Sequence, residues 1–202
     1  MTILLGTRNG KKVWELREGL RSVGVPLGDL PSGAPEVEET GTTFRANAHL
    51  KARALSRWAG EWVLADDSGI EVDALCGAPG VRSHRWAGEP PDDARNNARL
   101  LEELRGVPPA GRGASFRCAL ALARSGEVVA EVEGACRGVV ADAPRGANDF
   151  GYDPLFLYPP LGRSFAELSP HEKLKVSHRG EALRCLARVL PGLLRAASEA
   201  GC

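Results

Sequence analysis

The sequence predicts a mixed α/β (α+β) domain, and three features of its patterning carry that prediction. Short apolar runs such as Ile3-Leu4-Leu5 and Val63-Leu64-Ala65 have the length and composition of buried strands. Phe44, Ala48, Ala52, Leu55 and Ala59 recur at helical spacing. No internal repeat, low-complexity tract or linker interrupts the chain, so residues 1–202 read as a single domain in which strands and helices are mixed.

The elements follow in order. After Ile3-Leu4-Leu5 the chain breaks at Gly6-Thr7-Arg8-Asn9-Gly10, and residues 11–23 have helical character. Residues 25–41, rich in Pro, Gly and Glu, read as a long connection. Thr42 or Thr43 is a good N-cap for a helix that runs to about Trp58. Val63-Leu64-Ala65 is a second strand, broken by Asp66-Asp67-Ser68-Gly69, and residues 70–75 alternate as a third. Residues 76–90 form a Gly/Pro loop, and residues 92–104 a polar-faced helix. Residues 116–123 and 128–140 are strand-like, with Ser125-Gly126 as the hairpin turn. A second Gly-rich loop spans 142–154, and Ser169-Pro-His-Glu172 has the capping-box arrangement. A last helix starts near Ser177 or His178, with Ala182, Leu186, Val189, Leu193 and Ala197 on its core face and Pro191 as a point of kinking.

Composition narrows the function. The chain is 43% hydrophobic and 26% charged, enough for a sizeable core. Lys+Arg and Asp+Glu both number 26, so it lacks the basic excess of a surface that coats a nucleic acid polymer. No apolar run approaches the roughly 20 residues of a membrane span, and the first residues carry no export signal. Cys76, Cys118, Cys136, Cys185 and Cys202 are odd in number, scattered and without a CxxC, as expected of reduced thiols in a cytoplasmic protein. The expected partner is a small molecule. Arginine greatly outnumbers lysine, so Lys11, Lys12, Lys51, Lys173 and Lys175 attract notice.

Five stretches could carry chemistry. Thr7-x-Asn9-x-x-Lys12 sits at a strand-to-helix turn, where free N–H groups, the helix dipole and a lysine would hold an anion; a solvated helix start would use the same residues. Lys51 falls in the middle of the apolar face of its helix, with Asn47 one turn earlier, so its head must snorkel to water or meet a carboxylate or phosphate. Asp66-Asp67, at what reads as the end of a buried strand, could hold Mg²⁺ and position or deprotonate a water; an Asx turn explains one Asp but not the second. Phe150-Gly151-Tyr152-Asp153 offers a ring and a polar edge to a flat base, or plugs its own loop. Glu172-Lys173 and Ser177-His178-Arg179 cluster donors at two successive helix starts, the second expected to be exposed. Together these describe a Mg²⁺-dependent nucleotide site. They do not say which phosphate bond breaks.

With those residues in view, the chain resembles the inosine/xanthosine triphosphate pyrophosphatase (Ham1-like) family. The motifs come in order: Thr7-x-Asn9-x-x-Lys12; Glu38-Glu39 and Phe44, then Asn47-Ala48-x-x-Lys51-Ala52; Ala65-Asp66-Asp67-Ser68-Gly69 with Gly77-Ala-Pro-Gly80; Phe150-Gly-Tyr-Asp-Pro154; Phe165-Ala-Glu-Leu168; and Glu172-Lys173 with Ser177-His178-Arg179. The resemblance implies a central mixed β-sheet flanked by helices with a cleft between two lobes. It also implies a homodimer that hydrolyses ITP, dITP or XTP to the monophosphate and pyrophosphate with Mg²⁺. It implies Asp67 as general base and metal ligand, with Glu39 or Glu38 as the second acidic ligand. Phosphates would fall to the turn of Thr7, Arg8, Asn9, Gly10, Lys11 and Lys12 and to Lys51, with Ser68 also on the substrate. Phe150, Gly151, Tyr152, Asp153, Lys173, His178 and Arg179 would line the base and sugar, Arg179 donating to a 6-oxo group that adenine lacks. Arg8, Lys11, Ala46 and Cys76 depart from the family pattern.

Overall fold

The carboxylate pair Asp66-Asp67, expected at a turn, lies inside a strand. The computed structural model describes residues 2–148 and 150–199. Cys202, one of the five expected reduced thiols, lies outside them, and Cys76, Cys118, Cys136 and Cys185 are unbridged. The strands are β1 (Ile3–Leu5), β2 (Leu27–Asp29), β3 (Trp62–Val72), β4 (Gly113–Arg124), β5 (Glu127–Val140), β6 (Phe156–Tyr158) and β7 (Arg163–Ser164). The helices are α1 (Gly10–Gly19), α2 (Phe44–Ala59), α3 (Asp93–Glu103), α4 (Pro170–Val176) and α5 (His178–Glu199). The strands form one mixed sheet in the order β2-β1-β3-β4-β5-β6-β7. β1 runs parallel to β2 and β3, with Leu5 opposite Asp29 on one side and Leu64 on the other. β6 is antiparallel to β5 and β7.

The chain divides into two compact units. The first holds the residues up to 67, 118–134 and those from 179 onward. Thr43 caps α2, its hydroxyl accepting from Ala46 N at 3.1 Å, and Leu55 packs with Ala34 and Val63. Ser125 and Gly126 both have positive φ, 52° and 84°, as a two-residue hairpin turn between right-twisted strands requires. On α5, Ala182 and Leu186 are buried as expected, but Val189 is 46% exposed and its place is taken by Leu183 and Leu190. Pro191 lies within the helix.

The second unit holds 68–117 and 135–178. Its core gathers Ile70, Val72, Leu100, Phe116, Phe156 and Phe165. Phe116 stands at the centre of an aromatic cluster, its ring centroid 4.5 Å from that of Phe156 and 5.8 Å from that of Phe165. Asp92 caps α3, and the capping box at Ser169 and Glu172 starts α4 as the sequence implies.

β3 runs unbroken through Asp66-Asp67-Ser68-Gly69 because tertiary partners override the turn preference of those residues. Both carboxylates find cations or amides, as described below. Gly69 lets the 80–83 segment close in: a Cβ there would stand 2.3 Å from Ser83 Oγ. The expected third strand is therefore the end of β3, and residues 73–75 turn away in a 3₁₀ coil. β2, inside the presumed 25–41 connection, and the short β6 and β7 have too few residues to show a period.

Candidate active site

β3 extends past the end of β1, and that overhang positions the acidic pair. Gly6 N donates to Leu64 O at 2.7 Å, and a Cβ on Gly6 would lie 2.9 Å from Ala65 Cβ, so glycine lets the β1–α1 turn run against β3. Successive strand side chains point to opposite faces, so Asp66 and Asp67 meet different neighbours.

On one face Asp66 Oδ2 lies 2.9 Å from Lys12 Nζ and accepts from Arg179 Nη2 at 3.1 Å, while Arg179 Nη1 donates to Glu15. Asp66 and Arg179 are each 1% exposed. Burial alone would raise the Asp66 pKa, but the charges of Lys12, Arg179 and Lys51 outweigh it and hold the carboxyl well below its usual range. Burial likewise disfavours the Arg179 charge, and Glu15 and Asp66 more than restore it. This face is a fixed array of charges. Its buried Asp66 Oδ1 accepts no hydrogen bond among the described residues.

On the other face Asn47 Nδ2 donates to Asp67 Oδ2 at 3.0 Å, and Asn47 Oδ1 accepts from Gly41 N at 2.7 Å. Lys51 Nζ lies 3.7 Å from Asp67 Oδ1 and donates to Glu39 Oε1 at 2.5 Å. Burial raises the Asp67 pKa to about 6; Lys51 and Asn47 pull it down, and Glu39 pushes it up. Lys51 is kept charged against its burial by Asp66, Asp67 and Glu39, so its head meets carboxylates, one of the destinations open to a lysine on an apolar face. Of the two candidate acids, Glu39 reaches this cluster, while Glu38 is exposed.

The β1–α1 turn is less open to an anion than expected. Asn9 Oδ1 accepts from both Lys11 N and Lys12 N at 3.1 Å, and Thr7 Oγ1 accepts from Asn9 N at 3.2 Å. Asn9 is thus the cap of α1, and the N–H groups assigned to phosphate already have an acceptor. Arg8 Nη2 donates to Ala34 O at 2.5 Å, whereas Gly10 and Lys11 are exposed.

In the second unit, Asp153 N donates to Phe150 O at 3.0 Å and closes a tight turn in which Gly151 has φ 56°. Lys173 Nζ donates to Asp153 and stands 4.7 Å above the Phe150 ring centroid. Lys173 and Asp153 are both buried, and Ser68 is half-buried. The His178 ring stacks on Phe116, centroids 4.7 Å apart and planes 13° from parallel. Two expectations fail here. Tyr152 is not a stacking surface for a ligand: it is 4% exposed and its hydroxyl donates to Ser83 O at 2.9 Å. Ser177, His178 and Arg179 are not an exposed donor cluster, for all three are buried, and Arg179 binds Glu15 and Asp66. Sequence reading missed Glu15 altogether; a lone acid beside Leu16 on the buried side of a helix was the available signal.

The sequence profile of the Ham1 family matches residues 3–189. This chain belongs to the Ham1 family. Among its relatives, the dITP/XTP pyrophosphatase of Desulforamulus reducens is 49% identical over 94% of this chain and 96% of its own length. That of Geobacillus kaustophilus is 52% identical over 90% of each chain. The Ham1 protein of Coxiella burnetii superposes with a TM-score of 0.87 at 41% identity, covering 95% of this chain and 99% of that one. The Staphylococcus aureus Ham1 protein gives 0.84 at 35% identity, with the same coverage. The Ham1 assignment agrees with the mixed sheet and helices derived above. No helix among the described residues of this Ham1 chain is long and apolar enough to cross a membrane.

Proposed function

We propose that the protein hydrolyses the non-standard purine nucleoside triphosphates ITP, dITP and XTP to the monophosphate and pyrophosphate, clearing them from the cytoplasmic nucleotide pool. The whole chain, 1–202, acts as one pyrophosphatase domain and works as a homodimer. The observation that carries the reading is Asp67, a buried carboxylate whose pKa lies at about 6, beside an amide donor and a lysine. A base with that pKa is ionised at neutral pH and still takes a proton effectively. The names of the relatives support the reading, since they are dITP/XTP pyrophosphatases.

Asp67 accepts the proton of the attacking water, and Asn47 holds the carboxylate in orientation. Lys12 and Lys51 hold phosphate oxygens, because an ammonium has three donors and a carboxylate partner leaves others to give. Among the described residues no cluster of three or more His, Cys, Asp or Glu side chains could hold a metal ion. Glu39 and Asp67, which already share the Lys51 cation, fit Mg²⁺, which takes one or two carboxylates and completes its shell with phosphates and water. Bound there, Mg²⁺ would neutralise charge developing on the departing pyrophosphate. Phe150 stacks on the base, while Lys173, Asp153 and His178 read its edge. Arg179 serves by holding Asp66, in place of the 6-oxo contact expected from sequence.

Pyrophosphate release from ITP, dITP, XTP, GTP and ATP, with Mg²⁺ and with EDTA, tests the proposal. Release from the first three, abolished by EDTA, is the expected result. Tight ITP binding without pyrophosphate release would instead identify a nucleotide sensor. Light scattering tests the dimer.

A further inference from the structure

We propose that Asp93 and Asn97, on α3, are positioning residues that set base preference by clamping the Phe150–Asp153 turn. The proposal rests on reading Phe150, Asp153 and Lys173 as the base site. Asp93 and Asn97 stand four residues apart and so share one face of α3. Asp93 Oδ2 accepts from Gly151 N at 2.8 Å, and Asn97 Nδ2 donates to Gly151 O at 2.8 Å. Both polar groups of one left-handed residue are therefore held by a single helix turn. Gly151 is the first central residue of the turn that Asp153 N closes onto Phe150 O, so a shift at Gly151 moves both ends. Those ends are the ring and the carboxylate that Lys173 touches.

Capping of α3 does not account for the pair. Asp92 already caps α3, its Oδ1 accepting from Arg95 N at 2.8 Å. Asn97 is 8% exposed, and its Oδ1 accepts nothing among the described residues. A buried amide with an unmet acceptor is destabilising by itself. Its contribution is the bond to Gly151.

Steady-state kinetics with ITP, GTP and ATP on Asn97→Ala, Asp93→Ala and Asp93→Asn test the clamp, with Phe150→Ala as the probe of the base site itself. In the two alanine variants the ratio of kcat/KM for ITP over ATP or GTP falls about tenfold, the effect of roughly one hydrogen bond. The fall comes from KM for ITP, while kcat stays within about threefold, as expected for lost ground-state orientation. Asp93→Asn keeps an acceptor for Gly151 N and restores the parent ratios. A merely structural role would scale activity on all three substrates together. If the ratios hold in folded alanine variants while Phe150→Ala changes them, the clamp is overturned and the base site stands. If Phe150→Ala also leaves them unchanged, the base-site reading fails and takes this proposal with it. Should Asn97→Ala not fold, the half-buried Asp93→Ala decides alone.

Discussion

Asp66 and Asp67 are neighbours in sequence and nearly equal in burial, yet the pleat of β3 gives them opposite surroundings. Asp66 faces Lys12 and an arginine locked to Glu15, and its charge is fixed. Asp67 faces Lys51, which Glu39 shares, and its carboxyl changes charge at about pH 6. The difference teaches that residue type and burial do not set the role of a carboxylate. The balance of cations against acids on its side of the strand does.

The most severe way to break this contrast is to neutralise each acid in turn. Asp67→Asn keeps the shape but cannot take a proton, so turnover of ITP falls by roughly 10²–10⁴, the usual worth of a general base, with no loss of stability. Asp66→Asn does the reverse in kind: it removes a carboxylate partner from both Lys12 and Arg179, and stability drops by about 3–5 kcal/mol. Denaturant unfolding of the two variants distinguishes these outcomes; equal loss of stability in both would erase the contrast.

The pH dependences have opposite signs. The folded pKa of Asp66 lies below its ordinary value of 3.8, so its stabilisation is complete above about pH 4 and is lost as pH falls. The folded pKa of Asp67 is raised from 3.8 to about 6, so its stabilisation is full below about pH 4 and is lost as pH rises towards 6. Asp67→Asn therefore gains stability relative to the parent between pH 4 and 7, and Asp66→Asn loses it. In the parent, kcat/KM rises with pH through about 6, and a rate profile flat across that range would remove Asp67 as the base.

A subtler test moves the value without removing the acid. Lys51 lowers the pKa of Asp67, so Lys51→Met pushes the acidic limb of the rate profile above pH 6 and reduces efficiency. An unmoved limb would show that Lys51 does not govern Asp67. The smallest effect comes from Cys76. Cys76 is a non-glycine residue at φ 52°, and Cys76→Gly should raise stability by up to about 1 kcal/mol without altering kinetics, measured by urea titration.

Local chemistry was legible in the sequence, and partnership was not. The Thr43 cap, the Ser125-Gly126 turn and the Ser169 capping box are contacts within a few residues, and each stands where the pattern put it. The Asp66-Asp67-Ser68-Gly69 stretch read as a turn because its residues favour turns in isolation. Lys12, Arg179, Asn47 and Lys51 come from distant parts of the chain to satisfy the strand instead. Arg179 read as an exposed donor because its partner Glu15 is 164 residues away. Lys51 was recognisable as out of place on an apolar face, but only the fold says which acids receive it.

The strands that end the sheet are only three and two residues long, and this bears on how the chain behaves in a crowded cell. An edge strand is a template on which another polypeptide can extend the sheet, and a template this short offers a newcomer very few amide partners. β6 pairs with the long β5 at Val139 and Val140, and farther along, β5 alternates exposed Glu127, Glu131, Glu133 and Arg137 with its inward residues. Charged side chains along an open strand edge disfavour pairing with a second copy. The consequence is resistance to fibrillar self-association, arising from strand length and charge placement.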